Sequence, residues 1–158
     1  MNTLAAYAVF DQLGIFPNES VRVLETYEGT GRRFEILGEV GGVIVISDYA
    51  HHPTEIKATL AAARSNYPGR RIWAVWQPHT YSRTKLLFSE FINSFKDADQ
   101  ILVTEIYPAR EPVDLGFSGS QIVAVMDNPN ASFFPGFEDI VNFLSGKLVS
   151  GDVLIVLS

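Results

Sequence analysis

A chain of 158 residues, 47% hydrophobic and 19% charged, is long enough for one well-buried domain and does not have the composition of a disordered chain. The net charge of −6 argues against a general nucleic-acid binder, and the absence of cysteine excludes disulfides, thiolate metal sites and a thiol nucleophile. No apolar run approaches the ~20 residues that span a bilayer, and no signal peptide opens the chain, so the expected location is cytoplasmic. Charge is unevenly spread. Between Arg32 and Lys85, eight of the twelve Lys and Arg residues and all three histidines meet only Glu35, Glu39, Asp48 and Glu55, so that segment is +4 and the remainder −10. An anionic ligand is drawn to the first half.

In chain order, residues 3–13 read as a helix capped by Asn2 and stopped by Gly14, with Ala5, Val9 and Leu13 as an apolar stripe. Pro17-Asn18-Glu19 reads as a turn before a short helix from Ser20 to Tyr27. Two extended runs, Arg32 to Glu39 and Val43 to Ile46, flank Gly41-Gly42 and predict a hairpin. Helices and strands then alternate: helix 54–66, strand 71–76, helix 83–96 with Ser82 as cap, and strand 100–106. A helix near 119–126, a strand near 131–134, a helix near 138–148 and a strand at 152–157 complete the pattern. This predicts an α/β fold, a mostly parallel, Rossmann-like sheet with helices on both faces, plus a short N-terminal helical and hairpin segment. Residues 1–31 do not share the alternation and are assigned to a different domain from 32–158. Ligands of such sheets bind at the carboxyl ends of strands, which lines up Asp48 to His52, Pro78 to Arg83 and Tyr107 to Arg110.

The stretch Ser47-Asp48-Tyr49-Ala50-His51-His52-Pro53-Thr54-Glu55 follows a β-branched run and opens a helix at Pro53. A turn that only reversed the chain would use Gly, Asn or Ser; an acid, a phenol and two imidazoles together point to a ligand site. Asp48, at a strand end, suits ribose hydroxyls or a helix cap, and the helix begins far enough away to favour the ligand. Tyr49 either packs or lines the site. His51 and His52 are adjacent and point opposite ways in an extended chain, so at most one meets a ligand directly. His79-Thr80-Tyr81-Ser82-Arg83 stands at a helix start, where free amides and the Arg83 fork suit a carboxylate or phosphate. The Arg32-Arg33 pair can reach a phosphate. Phe34 breaks the dinucleotide fingerprint begun by Gly29-Thr30-Gly31, and no P-loop is present. Three histidines and Asp48 have the composition of a zinc site without its usual spacing. A metal-dependent hydrolase using Asp48, His51, His52 and His79 therefore stays open, as does a stand-alone nucleotide-binding module.

Four segments carry a more specific signal: Gly29-Thr30-Gly31-Arg32-Arg33-Phe34-Glu35, Asp48 to Glu55, Gln77-Pro78-His79-Thr80-Tyr81-Ser82-Arg83-Thr84 and Tyr107-Pro108-Ala109. In order and spacing they resemble the Mur ligase family of peptidoglycan synthesis over nearly the whole chain. They are most similar to the branch that joins L-alanine to UDP-N-acetylmuramate, and Gln77-Pro78-His79 favours it over the peptide-recycling branch. The resemblance implies the tail end of a central ATPase domain in residues 1–31 and a carboxy-terminal ligase domain in 32–158, ending before a glycine-rich stretch. It implies ATP, magnesium with ligands in the central domain, and the N-terminal and central domains of the same polypeptide as partners, with no nucleic acid or membrane. By position it implies Asn2 at the adenine, Asp48 at the ribose and Arg33 at the terminal phosphates. Tyr49, His51, His79 and Arg83 are implied around the amino acid and the muramoyl carboxylate, with Arg33 and His51 catalytic. Three positions depart from the family: Ser47 replaces a frequent acid, Thr80 a usual base and Arg110 a common glycine. Without a P-loop, the chain alone is expected to lack ligase activity.

Overall fold

The computed structural model describes residues 2–15, 17–26, 31–126 and 128–158, without the side chains of Asn2, Thr3 and Pro17. Gly29-Thr30, the expected helix end at Tyr27 and the Asn2 side chain assigned to adenine lie outside the described residues. The chain divides into two compact units, Met1–Thr30 and Gly31–Ser158.

The first unit pairs α1 (Asn2–Gln12) with α2 (Pro17–Glu25). Gly14, at φ +69°, takes the left-handed conformation that ends α1. The expected turn at Pro17-Asn18-Glu19 is instead the first turn of α2. Proline at a helix start loses no hydrogen bond, and Glu19 faces the positive end of the helix dipole. The expected stripe Ala5, Val9 and Leu13 is exposed, while Ala6 and Phe10 are half-buried.

The second unit is built from β1 (Glu35–Val40), β2 (Val43–Asp48), α3 (Pro53–Asn66), β3 (Ile72–Trp76), α4 (Tyr81–Leu86), α5 (Phe88–Ile92), β4 (Gln100–Val103), α6 (Gly119–Val125), β5 (Ala131–Phe133), α7 (Phe137–Leu144) and β6 (Val153–Leu157). Among the described residues these strands form one sheet in the order β1-β2-β6-β3-β4-β5. Only β1 runs antiparallel to its neighbour. Gly41 and Gly42 have φ of +60° and +81°, the pair of positive angles that lets a two-residue turn follow the strand twist.

Alternation along β3 divides the core. Ile72, Ala74 and Trp76 join Ile46, Ile56, Leu60, Phe91 and Ile122, the residues of α3, α5 and α6 among them, in the larger cluster. Trp73 and Val75 join Leu102, Ile140 and Leu144, so α7 covers the opposite face. The expected helix 83–96 is two short helices. At Leu87 (φ −107°, ψ 24°) the chain leaves helical geometry and restarts, so that Phe91 and Phe95 pack on Trp76 at centroid distances of 5.0 and 5.2 Å. The cap of α4 is Thr80, not Ser82. Strand β4 stops at Val103. The chain then leaves the sheet and returns beside β3's extension through an isolated bridge between His79 and Tyr107.

Candidate functional site

Because β2, β6, β3 and β4 run parallel to one another, the carboxyl ends of β2, β3 and β4 share one edge of the sheet. The hairpin register pairs Glu35 with Ser47, which returns the loop before β1 to the same edge. In that loop Arg32 and Phe34 have φ of +57° and +49°. Non-glycine residues in this region cost on the order of 1 kcal/mol each, and such strain persists where surrounding bonds impose it. Three bonds do so here. Glu35 Oε2 accepts the Arg32 N–H at 2.6 Å, Asp48 Oδ2 accepts the Phe34 N–H at 2.8 Å, and the Arg32 carbonyl accepts the Tyr49 N–H at 2.7 Å. Arg33 stands between the two strained residues with its guanidinium 3.4 Å from Glu55 Oε1.

After β2 the chain turns into α3 through a capping box. His52 Nδ1 accepts the Thr54 N–H at 3.2 Å, while Glu55 Oε2 accepts the N–H groups of His51 and His52 at 2.9 and 3.1 Å. His52 is thereby spent on the helix, and His51 turns the other way. Its ring lies 4.2 Å from Tyr49 and 4.7 Å from His79, and His79 lies 5.4 Å from Tyr107. The four rings form a column across the carboxyl ends of three strands, with the Arg32 guanidinium 4.8 Å above Tyr49. Arg83 donates to the His79 carbonyl at 3.1 Å from the first turn of α4.

The column separates two cavities. The larger, about 350 Å³, is lined by Arg33, Tyr49, His51, His52, Glu55, His79 and Arg83. The smaller, about 210 Å³, has Arg32, Gln77, Tyr107 and Ser158 around the same three rings. The Nδ1 atoms of His51 and His79 are buried and make no hydrogen bond, which marks them for a ligand, since buried polar atoms are nearly always paired. Burial holds the His51 imidazole below its ordinary pKa, outweighing the opposite pull of the Ala50 backbone, and the neighbouring Arg83 guanidinium adds to the lowering. Burial pushes Glu55 upward, but the bonds from the His51 N–H and Arg33 outweigh it and hold the carboxyl below its usual range.

Arg33, Tyr49, His51, His79 and Arg83 are thus brought together. Asp48 is not among the residues around either cavity. It is the last residue of β2 rather than the residue after it, only 5% exposed, and the cap of α3 is His52. The zinc reading has no ligand set, since His52 serves the helix and no group of three or more His, Asp or Glu able to hold a metal occurs among the described residues. The sequence did carry a signal for Glu55, an acid at the third position of a helix opened by proline. It carried none for Glu111, whose carboxylate crosses 31 positions to Thr80.

The Mur ligase, glutamate ligase domain family matches residues 32–158. The UDP-N-acetylmuramate–L-alanine ligase of Nitratidesulfovibrio vulgaris (strain DP4) is 46% identical over 160 residues, covering 99% of this chain and 35% of the relative. The enzyme of the same name from Acetivibrio thermocellus is 48% identical over 160 residues, covering 99% of this chain and 34% of that one. A crystal structure of a UDP-N-acetylmuramate-alanine ligase from Thermotoga maritima aligns with a TM-score of 0.79 at 26% identity, covering 99% of this chain and 33% of that one. The chain spans about a third of the length of these relatives.

Proposed function

This chain belongs to the Mur ligase family, and from that premise we propose that it is the carboxy-terminal domain of an ATP-dependent ligase joining L-alanine to UDP-N-acetylmuramate through an acyl phosphate. The observation that carries the reading is the larger cavity, where Arg33 and Arg83 flank two imidazoles with unpaired buried nitrogens. Two guanidiniums suit an anion whose charge grows during reaction, and fixed cations are worth most where charge develops.

The roles follow from position. The muramoyl carboxylate attacks the terminal phosphorus of ATP, ADP leaves, and the alanine amine then displaces phosphate from the acyl carbon. Arg33 holds the transferring phosphoryl group, and Arg83 holds carboxylate oxygens. Alanine arrives as an ammonium at neutral pH and sheds a proton before it attacks. His51, whose pKa burial lowers, accepts that proton, while Tyr49 stacks on its ring and His79 packs against it at a tilt. Asp48 takes a ribose hydroxyl with the oxygen that Phe34 leaves free. Asn2 lies near the adenine, within a segment, residues 1–31, that closes the central ATPase domain.

Among the described residues no group of three or more acids or histidines is arranged to hold a metal, so these residues offer magnesium no site. The ion's ligands and the P-loop belong to the central domain of the same polypeptide, and the isolated chain is inactive. No helix among the described residues is long and apolar enough to cross a membrane; the cytoplasmic location belongs to the proposed ligase reading, whose substrates are soluble.

The test is phosphate release by the protein encoded in the complete reading frame. Release requiring ATP, UDP-N-acetylmuramate and L-alanine together is the expected result. A frame without a P-loop, or release indifferent to L-alanine, overturns the proposal.

A further inference from the structure

The segment after β4 is tied to the start of α4 at two points. At the first, the Tyr107 N–H donates to the Pro78 carbonyl at 2.9 Å, inside the bridge that sets Tyr107 beside His79. At the second, the Glu111 carboxylate accepts the hydroxyls of Thr80 and Ser82 on Oε1 and the Ser82 N–H on Oε2 at 2.9 Å. Between the ties, Ala109 has φ of +54°, a conformation a non-glycine residue keeps only when its flanks are held. The Glu111 N–H closes the same turn onto the Pro108 carbonyl at 2.9 Å.

Burial does not explain this carboxylate. The bond from the Ser82 hydroxyl, followed by those from Thr80 and the Ser82 N–H, holds its pKa down to about 2, so it stays ionised at any working pH. Everything it binds leads back to the cavity. Thr80 follows His79, whose ring is covered by Tyr107 at 5.4 Å with 20° between planes. Ser82 precedes Arg83, whose guanidinium donates to the His79 carbonyl. Thr80 makes no cap bond to α4, because its hydroxyl is turned to Glu111.

We infer that Glu111 is a positioning residue: its carboxylate latches the Tyr107 loop onto the 79–83 turn and so fixes the His79 ring and the Arg83 guanidinium without touching substrate. The kinetic part of this inference rests on the ligase reading, and the structural part does not. Removing the carboxylate frees Thr80 and Ser82, lets the Ala109 turn relax, and withdraws Tyr107 from His79. A glutamine keeps the length and one acceptor for the Ser82 N–H, while the two hydroxyls can rotate to accept its amide.

Two measurements test this. In the 158-residue chain, nuclear magnetic resonance of the imidazole C–H groups should show the His79 signals of Glu111→Ala displaced as the Tyr107 ring current is lost. The Trp73 and Trp76 indole signals, which report an intact core, should stay in place, and Glu111→Gln should restore the His79 signals. In the complete ligase, Glu111→Ala should raise KM for L-alanine about tenfold, as expected for losing charge-assisted bonds that hold two binding groups, and leave KM for ATP within about twofold. The glutamine variant should recover most of that loss. Unmoved His79 signals overturn the inference, as does an equal rise in both KM values. An inactive wild-type ligase would sink the ligase reading alone, and the resonance measurement would still decide the role of Glu111.

Discussion

Asp48→Ala tests whether the acid at the end of β2 serves the fold, the nucleotide, or both. The substitution deletes the 2.8 Å bond from the Phe34 N–H to Oδ2, in a part-buried place where the amide has no other acceptor. A hydrogen bond to a charged group contributes ~1.5–3 kcal/mol. Against this, Phe34 is held at φ +49° by that bond, and its release returns up to ~1 kcal/mol of strain. The net loss is therefore ~0.5–2 kcal/mol, which lowers Tm by roughly 2–8 °C for a unit of this size. Asp48→Asn keeps an acceptor for Phe34 and should lose less than half as much, since only the charge assistance goes. The assay is calorimetric melting of the 158-residue chain in all three forms. An Asp48→Ala protein that melts within about 1 °C of the parent would refute the reasoning, because the strained loop would then not depend on the carboxylate. In the complete ligase the alanine variant should also raise KM for ATP; an unchanged value would remove the ribose role while leaving the structural one.

Arg83→Ala should raise KM for L-alanine or UDP-N-acetylmuramate about tenfold with KM for ATP little changed, the size expected for one charge-assisted contact, and steady-state kinetics with each substrate varied will read it. Because the His51 pKa is lowered in the folded state, its unfolded form takes up a proton first as pH falls through 6.5. Stability is unaffected by this group well above that pH and declines on acidification; His51→Gln should flatten the fall of Tm between neutral and mildly acid pH, and an identical pH profile would contradict the burial argument. Gly119→Ala would set its Cβ 2.2 Å from the Thr104 carbonyl and 2.9 Å from the Phe133 ring, so it should cost ~1–3 kcal/mol by overpacking, measured as a lower denaturant midpoint. Asp152 accepts Arg71 at 2.7 Å and the Trp73 indole N–H at 3.1 Å while only 3% exposed. Asp152→Ala should destabilise by ~1–3 kcal/mol, chiefly through the Trp73 indole and Val149 N–H groups left unpaired, since Arg71 stays half in solvent and keeps the Lys147 carbonyl, seen in the same midpoint measurement.

What the residues of this chain settle locally was legible without coordinates. Gly41-Gly42 between β-branched runs gives a hairpin because two adjacent positive φ angles fit little else. Pro53 with Glu55 starts a helix because a donor-free first position and an acid near the amides suit its amino end. The alternation after Val43 announced a parallel sheet and a ligand edge, which lined up Asp48 to His52, Pro78 to Arg83 and Tyr107 to Arg110; grouping Arg33 with Tyr49, His51, His79 and Arg83 rested on the resemblance to the Mur ligases. The break at Leu87 could not be read, since it follows from how Phe91 and Phe95 meet Trp76 rather than from any helix-breaking residue. Nor could the start of α2, where proline and asparagine suggest a turn as readily as a first helical turn.

The sequence by itself determined which chemical groups gather at strand ends, since strand, turn and helix preferences act over a few neighbouring residues. Tertiary structure alone decided that the last strand lies between β2 and β3, and with it the spacing of the rings from Tyr49 to Tyr107. It also decided that Asp48 faces Phe34 and that Glu111 reaches Thr80. Such contacts depend on where separate elements pack, and packing is set by the whole core rather than by any one stretch of chain.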